Sequence, residues 1–121
     1  MEVGLPDGLV FCVALVTLLF MDACWLTISH RLRVYPSLEG VRLPYALLSW
    51  TALAVAISAL RATDHWDAVR WGLSVGSVTY AFFNGTELAI RPDWTVRVAL
   101  VDILWGMTYV TTSSVFAHMV V

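Results

Sequence analysis

Lysine is absent from this chain of 121 residues, so seven arginines supply all of its permanent positive charge. They are scattered, and scattered cations make no basic patch of the kind that gathers phosphates. Nucleic acid is therefore not an expected partner. Charge of either sign is scarce as well: 13% of residues are charged and 60% are hydrophobic, against about 25% and 45–50% in soluble domains. A soluble domain of this size hides only about two thirds of its unfolded surface. That is too little to shelter four near-continuous apolar runs from water, and it points to lipid.

Cysteine is limited to Cys12 and Cys24, both in one apolar run. On a helix they stand about 18 Å apart along the axis, out of reach of a disulfide, and are read as small core residues. A positively charged start is missing too, since Met1-Glu2-Val3-Gly4-Leu5-Pro6-Asp7 precedes the first run. The run itself is longer than the apolar core of a secretory signal, so the first helix is expected to be retained. Nucleophile elbow, phosphate loop and metalloprotease motif are all wanting. No catalytic residue, metal or cofactor is expected.

What is present is a set of four apolar runs, at about 8–28, 44–60, 69–90 and 96–120. Each approaches the roughly 20 residues that carry a helix across a hydrocarbon core. The expected fold is all-α, an integral membrane four-helix bundle with four transmembrane helices, formed by residues 1–121 as one domain. Pro44 suits a first helical turn, and Arg61 can close the far end of the second run by snorkelling. Short connections make consecutive helices antiparallel neighbours. The longest, His30 to Leu43, contains Arg31, Arg33, Tyr35, Pro36, Glu39, Gly40 and Arg42 and has room for a short interfacial turn.

With four crossings both termini share a side, and the arginine distribution selects it. Arg31, Arg33, Arg42, Arg91 and Arg97 belong to the first and third connections, whereas Arg61 and Arg70 flank the second. The first and third connections are thus expected in the cytoplasm and both termini outside. The residues do not specify which membrane this is.

Polar groups inside the runs need a reason, because a charged side chain at the bilayer centre costs on the order of 3 kcal/mol on insertion scales. Asp22 lies in the first run, Asn84 and Glu87 in the third and Asp102 in the fourth. At 1.5 Å per residue the three acids all fall within roughly 10 Å of the cytoplasmic interface, at the depth of Trp25, Trp50 and Trp105. Helical spacing sorts them into faces. Asp22, Trp25 and Ser29 share one; Gly76, Tyr80, Asn84 and Glu87 a second; Asp102, Trp105 and Tyr109 a third. Gly72 and Gly76 form a small-xxx-small pair that lets a neighbouring helix come close. Two readings follow for the cluster of Asp22, Trp25, Tyr80, Asn84, Glu87, Asp102 and Trp105. Either the acids line a cavity and handle a cation or protons, or they are protonated by desolvation and act as hydrogen-bonded packing glue. Glu87 has a third option, an ion pair with Arg91 one turn away.

Other signals are weaker. Asp64-His65-Trp66-Asp67 is read as a solvated turn, since a metal site would need further ligands at suitable spacing. Asn84-Gly85-Thr86 matches a glycosylation sequon but falls inside a helix. Thr108, Thr111, Thr112, Ser113 and Ser114 are hydroxyls of the type that bond back to the preceding turn. Trp66, Trp71 and Trp94 are read as aromatic-belt anchors.

Asp22-x-x-Trp25-Leu26, Phe83-Asn84-Gly85-Thr86-Glu87-Leu88-Ala89 and Asp102-x-x-Trp105-Gly106 together resemble domain-of-unknown-function family 2177, small multi-pass membrane proteins. The family's third-span pattern, Tyr-Asp-Leu-Thr-Asn-Leu-Ala, has its acid at the second position, whereas Glu87 stands at the fifth. The resemblance implies the membrane fold and names no reaction. The expected function is a small structural or accessory membrane component, its partners the lipid bilayer and other membrane subunits or a second copy. A proton or small-cation channel or transporter is the alternative. An enzyme ranks third, for want of an activated nucleophile.

Overall fold

The computed structural model of the chain describes residues 2–36 and 43–120, as β1 (Glu2–Val3), α1 (Gly8–Arg31), α2 (Leu43–Ser58), β2 (Leu60–Arg61), α3 (His65–Ile90) and α4 (Val96–Val120). Glu39, Gly40 and Arg42 of the expected interfacial turn lie outside the described residues.

Local chemistry explains where the helices begin and end. Asp7 caps α1, its carboxylate accepting from the backbone N–H groups of Leu9 and Val10 at 3.0 Å. Such a cap satisfies donors that have no partner inside the helix. The other end of α1 closes in a Schellman turn: Arg33 N–H donates to the His30 carbonyl and Val34 N–H to that of Ser29. Arg33 takes the left-handed conformation there, with φ of 53°, a role that glycine fills more easily. Pro44 sits in the first turn of α2. Asp64 caps α3 by accepting from Asp67 N–H, while Asp67 accepts from the Thr63 hydroxyl at 2.7 Å. Asp64-His65-Trp66-Asp67 is thus a helix start rather than the solvated turn expected. Pro92, which cannot continue a helix, follows α3, and Thr95 accepts from Val98 N–H at the start of α4.

The helices run up, down, up, down. Chain connectivity alone leaves their ends loosely tied, and the structure fastens them through a feature the sequence pattern does not announce. β1 pairs antiparallel with β2, Glu2 with Arg61 and Val3 with Leu60, and Gly4 N–H donates to the Ala59 carbonyl. At the same end His118 of α4 places Nε2 3.0 Å from the Leu60 carbonyl and Nδ1 2.7 Å from that of Ser114. The start of the chain and the end of α4 therefore meet at the α2–α3 connection.

The tightest contact is between α3 and α4. A Cβ on Gly72 would lie 2.5 Å from the Thr111 Cα, and one on Gly76 2.9 Å from the Gly106 carbonyl oxygen. Gly106 in turn leaves room for the Tyr80 ring. The neighbouring helix that the glycine pair admits is the chain's own α4. α1 packs on α2 and α4, whereas α2 and α3 touch sparsely. Val10, Ala14 and Leu18 of α1 meet Leu53, Ala54 and Ile57 of α2 and Val110 and Ala117 of α4 in a core near the termini.

Large apolar side chains also cover the outside of every helix: Val16 and Phe20, Leu47 and Leu48, Val78 and Phe82, Leu100 and Phe116 are exposed. Cys12 and Cys24 join this outer surface, correcting their reading as core residues; the inward stripe of α1 is taken by Val10, Ala14 and Leu18. By length and composition two helices, α1 and α4, are fit to cross a bilayer. α2 is apolar but has 16 residues, about 24 Å of helix. α3 is long enough, but Ser74, Ser77, Tyr80, Asn84 and Glu87 lower its apolar content.

Candidate functional site: a chamber of carboxylates and aromatic rings

Four helices and both connections at the end opposite the termini surround a cavity of about 600 Å³. Asp22 and Asp102, on antiparallel neighbours α1 and α4, both line it. Each finds its partners on other residues rather than on the other acid. Asp22 accepts from the indole N–H of Trp50 at 2.8 Å and from that of Trp105 at 3.4 Å. Asp102 accepts from the Tyr35 hydroxyl at 2.5 Å and from the Asn84 amide at 2.7 Å.

Those partners are themselves fixed. Trp25 donates its indole N–H to the Tyr35 oxygen, so the Tyr35 proton is directed at Asp102. Asn84 donates to the Tyr80 carbonyl as well as to Asp102, and its own oxygen accepts from Trp94 at 3.0 Å. This use of both amide hydrogens and the oxygen leaves Asn84 one orientation, and it is fully buried. Tyr80 donates to the Tyr109 hydroxyl. Burial, with Asp102 beside it, pushes the Tyr35 hydroxyl above the ordinary tyrosine range, so it remains a donor.

Aromatic rings form the walls. Trp25 stacks on Trp105 with centroids 4.8 Å apart, and Trp105 stacks on Tyr109 at 5.1 Å. Tyr35 lies over Trp94 at 5.9 Å. Stacked and edge-on pairs of this kind add to what ring burial alone contributes.

An electrostatic imbalance results. Indole groups donate hydrogen bonds and cannot accept them, so both Asp22 oxygens face donors, an arrangement that suits an ionised carboxylate. Both donors are neutral, and among the described residues no cation is bonded to Asp22. Arg91 borders the cavity, but its guanidinium is engaged by Glu87 at 3.2 Å and Asp93 at 3.0 Å and covers the Trp94 ring.

Of the residues singled out from sequence, Asp22, Trp25, Tyr80, Asn84, Asp102 and Trp105 are brought together here. Glu87 is not: it turns to Arg91 at the end of α3, because its position lies three residues beyond Asn84, at the helix edge. Trp94, expected as a belt anchor, is 8% exposed and bonded to Asn84. Trp66 is exposed, and Trp71 donates to the Ala56 carbonyl of α2. Tyr35 and Trp94 were invisible to helical-face reasoning because both lie in connections. Their common signal is an aromatic residue one or two positions from a proline, Tyr35-Pro36 and Pro92-Asp93-Trp94. Asn84 of the sequon is inside α3, with no exposed surface.

Among the described residues no group of three or more His, Cys, Asp or Glu side chains gathers as a metal site would require. In the hydroxyl tract of α4, Thr108 and Thr112 bond back to the preceding turn, whereas Ser114 crosses to the Ala68 carbonyl of α3.

The sequence model of one protein family, described as a predicted membrane protein and designated domain of unknown function 2177, matches residues 8–119. No curated protein and no solved structure matches the chain.

Proposed function

The chain belongs to domain-of-unknown-function family 2177, predicted membrane proteins, and from that premise we propose a four-pass membrane protein whose internal chamber is a cation site. Residues 1–121 act as one membrane domain, with the first and third connections in the cytoplasm and both termini outside. Support for four passes comes from the outer surface: α2 and α3 expose Leu47, Leu48, Val78 and Phe82 just as α1 and α4 expose Phe20 and Leu100. Exposed apolar cover on that scale calls for lipid. Support for the orientation is the concentration of arginine at the chamber end.

One observation carries the functional reading. Asp22 is held at a cavity wall by two neutral donors, and among the described residues no cation is bonded to it. Intramembrane acids that line a cavity mark binding and conduction sites. A second reading has its own support: each oxygen of both acids already accepts a hydrogen bond from inside the bundle, as packing glue would. In that case the protein is a structural or accessory component.

Reconstitution into liposomes separates the two. Proton and cation flux present in the native protein and lost in Asp22→Asn or Asp102→Asn supports the cation site. No flux from native protein supports the accessory component. Topology is tested separately, after replacing Cys12 and Cys24, by a cysteine at Arg33; labelling of it from outside would overturn the orientation.

A further inference from the structure

The chamber has a shape and a lining that narrow the class of cation. We infer that its ligand is a lipophilic organic cation, an ammonium or phosphonium with an apolar body, and that it enters sideways between α2 and α3. This rests on the cation-site reading above.

A bare metal ion takes a shell of several oxygens at fixed short distances. Here each oxygen of Asp22 and Asp102 is spoken for by an N–H or O–H group, and among the described residues only these two acids line the cavity. Indole and phenol rings are prominent in the lining instead: Trp25, Trp50, Trp94 and Trp105 with Tyr35 and Tyr109. Rings of this kind attract a diffuse, weakly hydrated cation, most strongly when water is excluded. One of them already does so within the chain, since the Arg91 guanidinium lies 5.1 Å from the centre of the Trp94 ring. A volume near 600 Å³ is that of sites for drug-sized molecules, far beyond what a sodium ion or a proton requires. Asp22, bonded only to neutral indole donors among the described residues, is the carboxylate that would face the cationic centre.

The route follows from where the wall is thin. α3 is locked to α4 through Gly72, Gly76 and Gly106, whereas α2 and α3 touch sparsely. Ser49 and Ala52 of α2 and Thr79 and Phe83 of α3 line the cavity and are also solvent-exposed. Three of these four side chains are small. In a four-pass protein this gap faces lipid, the phase into which an amphiphilic cation already partitions.

The test uses the full chain in detergent or nanodiscs and reads quenching of its tryptophan fluorescence. Tetraphenylphosphonium is the probe, with tetraphenylborate as the same shape of opposite charge, and tetramethylammonium and sodium as small cations. Saturable binding of the phosphonium but not the borate is expected, weakened at least about tenfold in Asp22→Asn. Ala52→Trp, placed at the gap, is expected to slow association severalfold, whereas Val16→Trp on the exposed face of α1 leaves it unchanged. Affinity untouched by both Asp22→Asn and Asp102→Asn would overturn the inference, and an unchanged association rate in Ala52→Trp would overturn the lateral route. Binding of sodium or tetramethylammonium without the phosphonium would overturn the ligand class and leave the cation site standing. No binding of any cation by folded protein would remove both.

Discussion

Near the termini, the space between α1, α2 and α4 is filled by Val10, Ala14, Leu18, Ala54, Ile57 and Ala117. Toward the other end the same helices surround a cavity of about 600 Å³ bordered by two acids and a ring of aromatic side chains. The apolar half holds its shape by close contact, which in lipid is the main attraction available between helices. Serines buried there, Ser58 and Ser114, spend their hydroxyls on carbonyls. The chamber half holds its shape by hydrogen bonds among Tyr35, Asn84, Asp102, Trp94 and Trp25. A bonded frame can stay open where a close-packed one cannot, because its members are fixed by direction rather than by filling space. Keeping a cavity open in this bundle therefore takes polar groups, and buried polar groups take this many partners.

The contrast can be broken first at the glycine seam. Gly72→Ala drives a methyl group into the Thr111 backbone, and backbone cannot yield as a flexible side chain would. A loss of about 3 kcal/mol, read as a lower unfolding temperature in detergent, is expected. Leu18→Ala, fully buried in the apolar half, should cost less, about 2 kcal/mol. The removed group would have had lipid as its alternative surroundings, so the loss is chiefly one of packing. Equal or smaller stability of Asp102→Asn relative to these two would contradict the division drawn between the halves.

In the chamber, Asp102→Asn keeps one acceptor for the two donors Tyr35 and Asn84. It should cost about 1 kcal/mol, and Asp102→Ala, which leaves both donors unpaired, about twice that. Outside both regions, Arg33→Gly is expected to stabilise the protein by about 0.5 kcal/mol. Relief of the left-handed backbone is partly offset by the greater freedom of glycine in the unfolded chain. The smallest effect concerns pH. The Thr63 hydroxyl and backbone N–H hold the Asp67 carboxyl below its ordinary value of 3.8. A carboxyl lower in the folded than in the unfolded state stabilises above the unfolded value and loses that contribution as pH falls through the folded one. Native protein should accordingly show a slight drop in unfolding temperature below pH 4 that Thr63→Ala diminishes.

Some of the chamber was legible from residue spacing. Asp22 with Trp25 and Asp102 with Trp105 share helical faces by counting alone, and antiparallel helices carry them to one depth. Asn84 followed for the same reason. Glu87 misled the same reasoning because an acid at a helix end can reach past it, and Arg91, one turn on, was within range. Tyr35 and Trp94 escaped it altogether. A connection has no period, and only the Schellman turn at Arg33, which swings the chain back over the bundle, lets Tyr35 meet Asp102, 67 positions away.

Composition and hydropathy by themselves determined that this chain is helical and made for lipid, since 60% hydrophobic residues in long runs allow little else. Periodicity added which face of each helix carries its polar groups. The tertiary structure alone decided which faces meet: that the glycines close on α4, that Cys12 and Cys24 look outward, and that α2 and α3 stand apart. Those outcomes depend on contacts between residues far apart in the chain, and where helices carry large apolar side chains outside as well as inside, local pattern alone does not say which apolar face meets which neighbour.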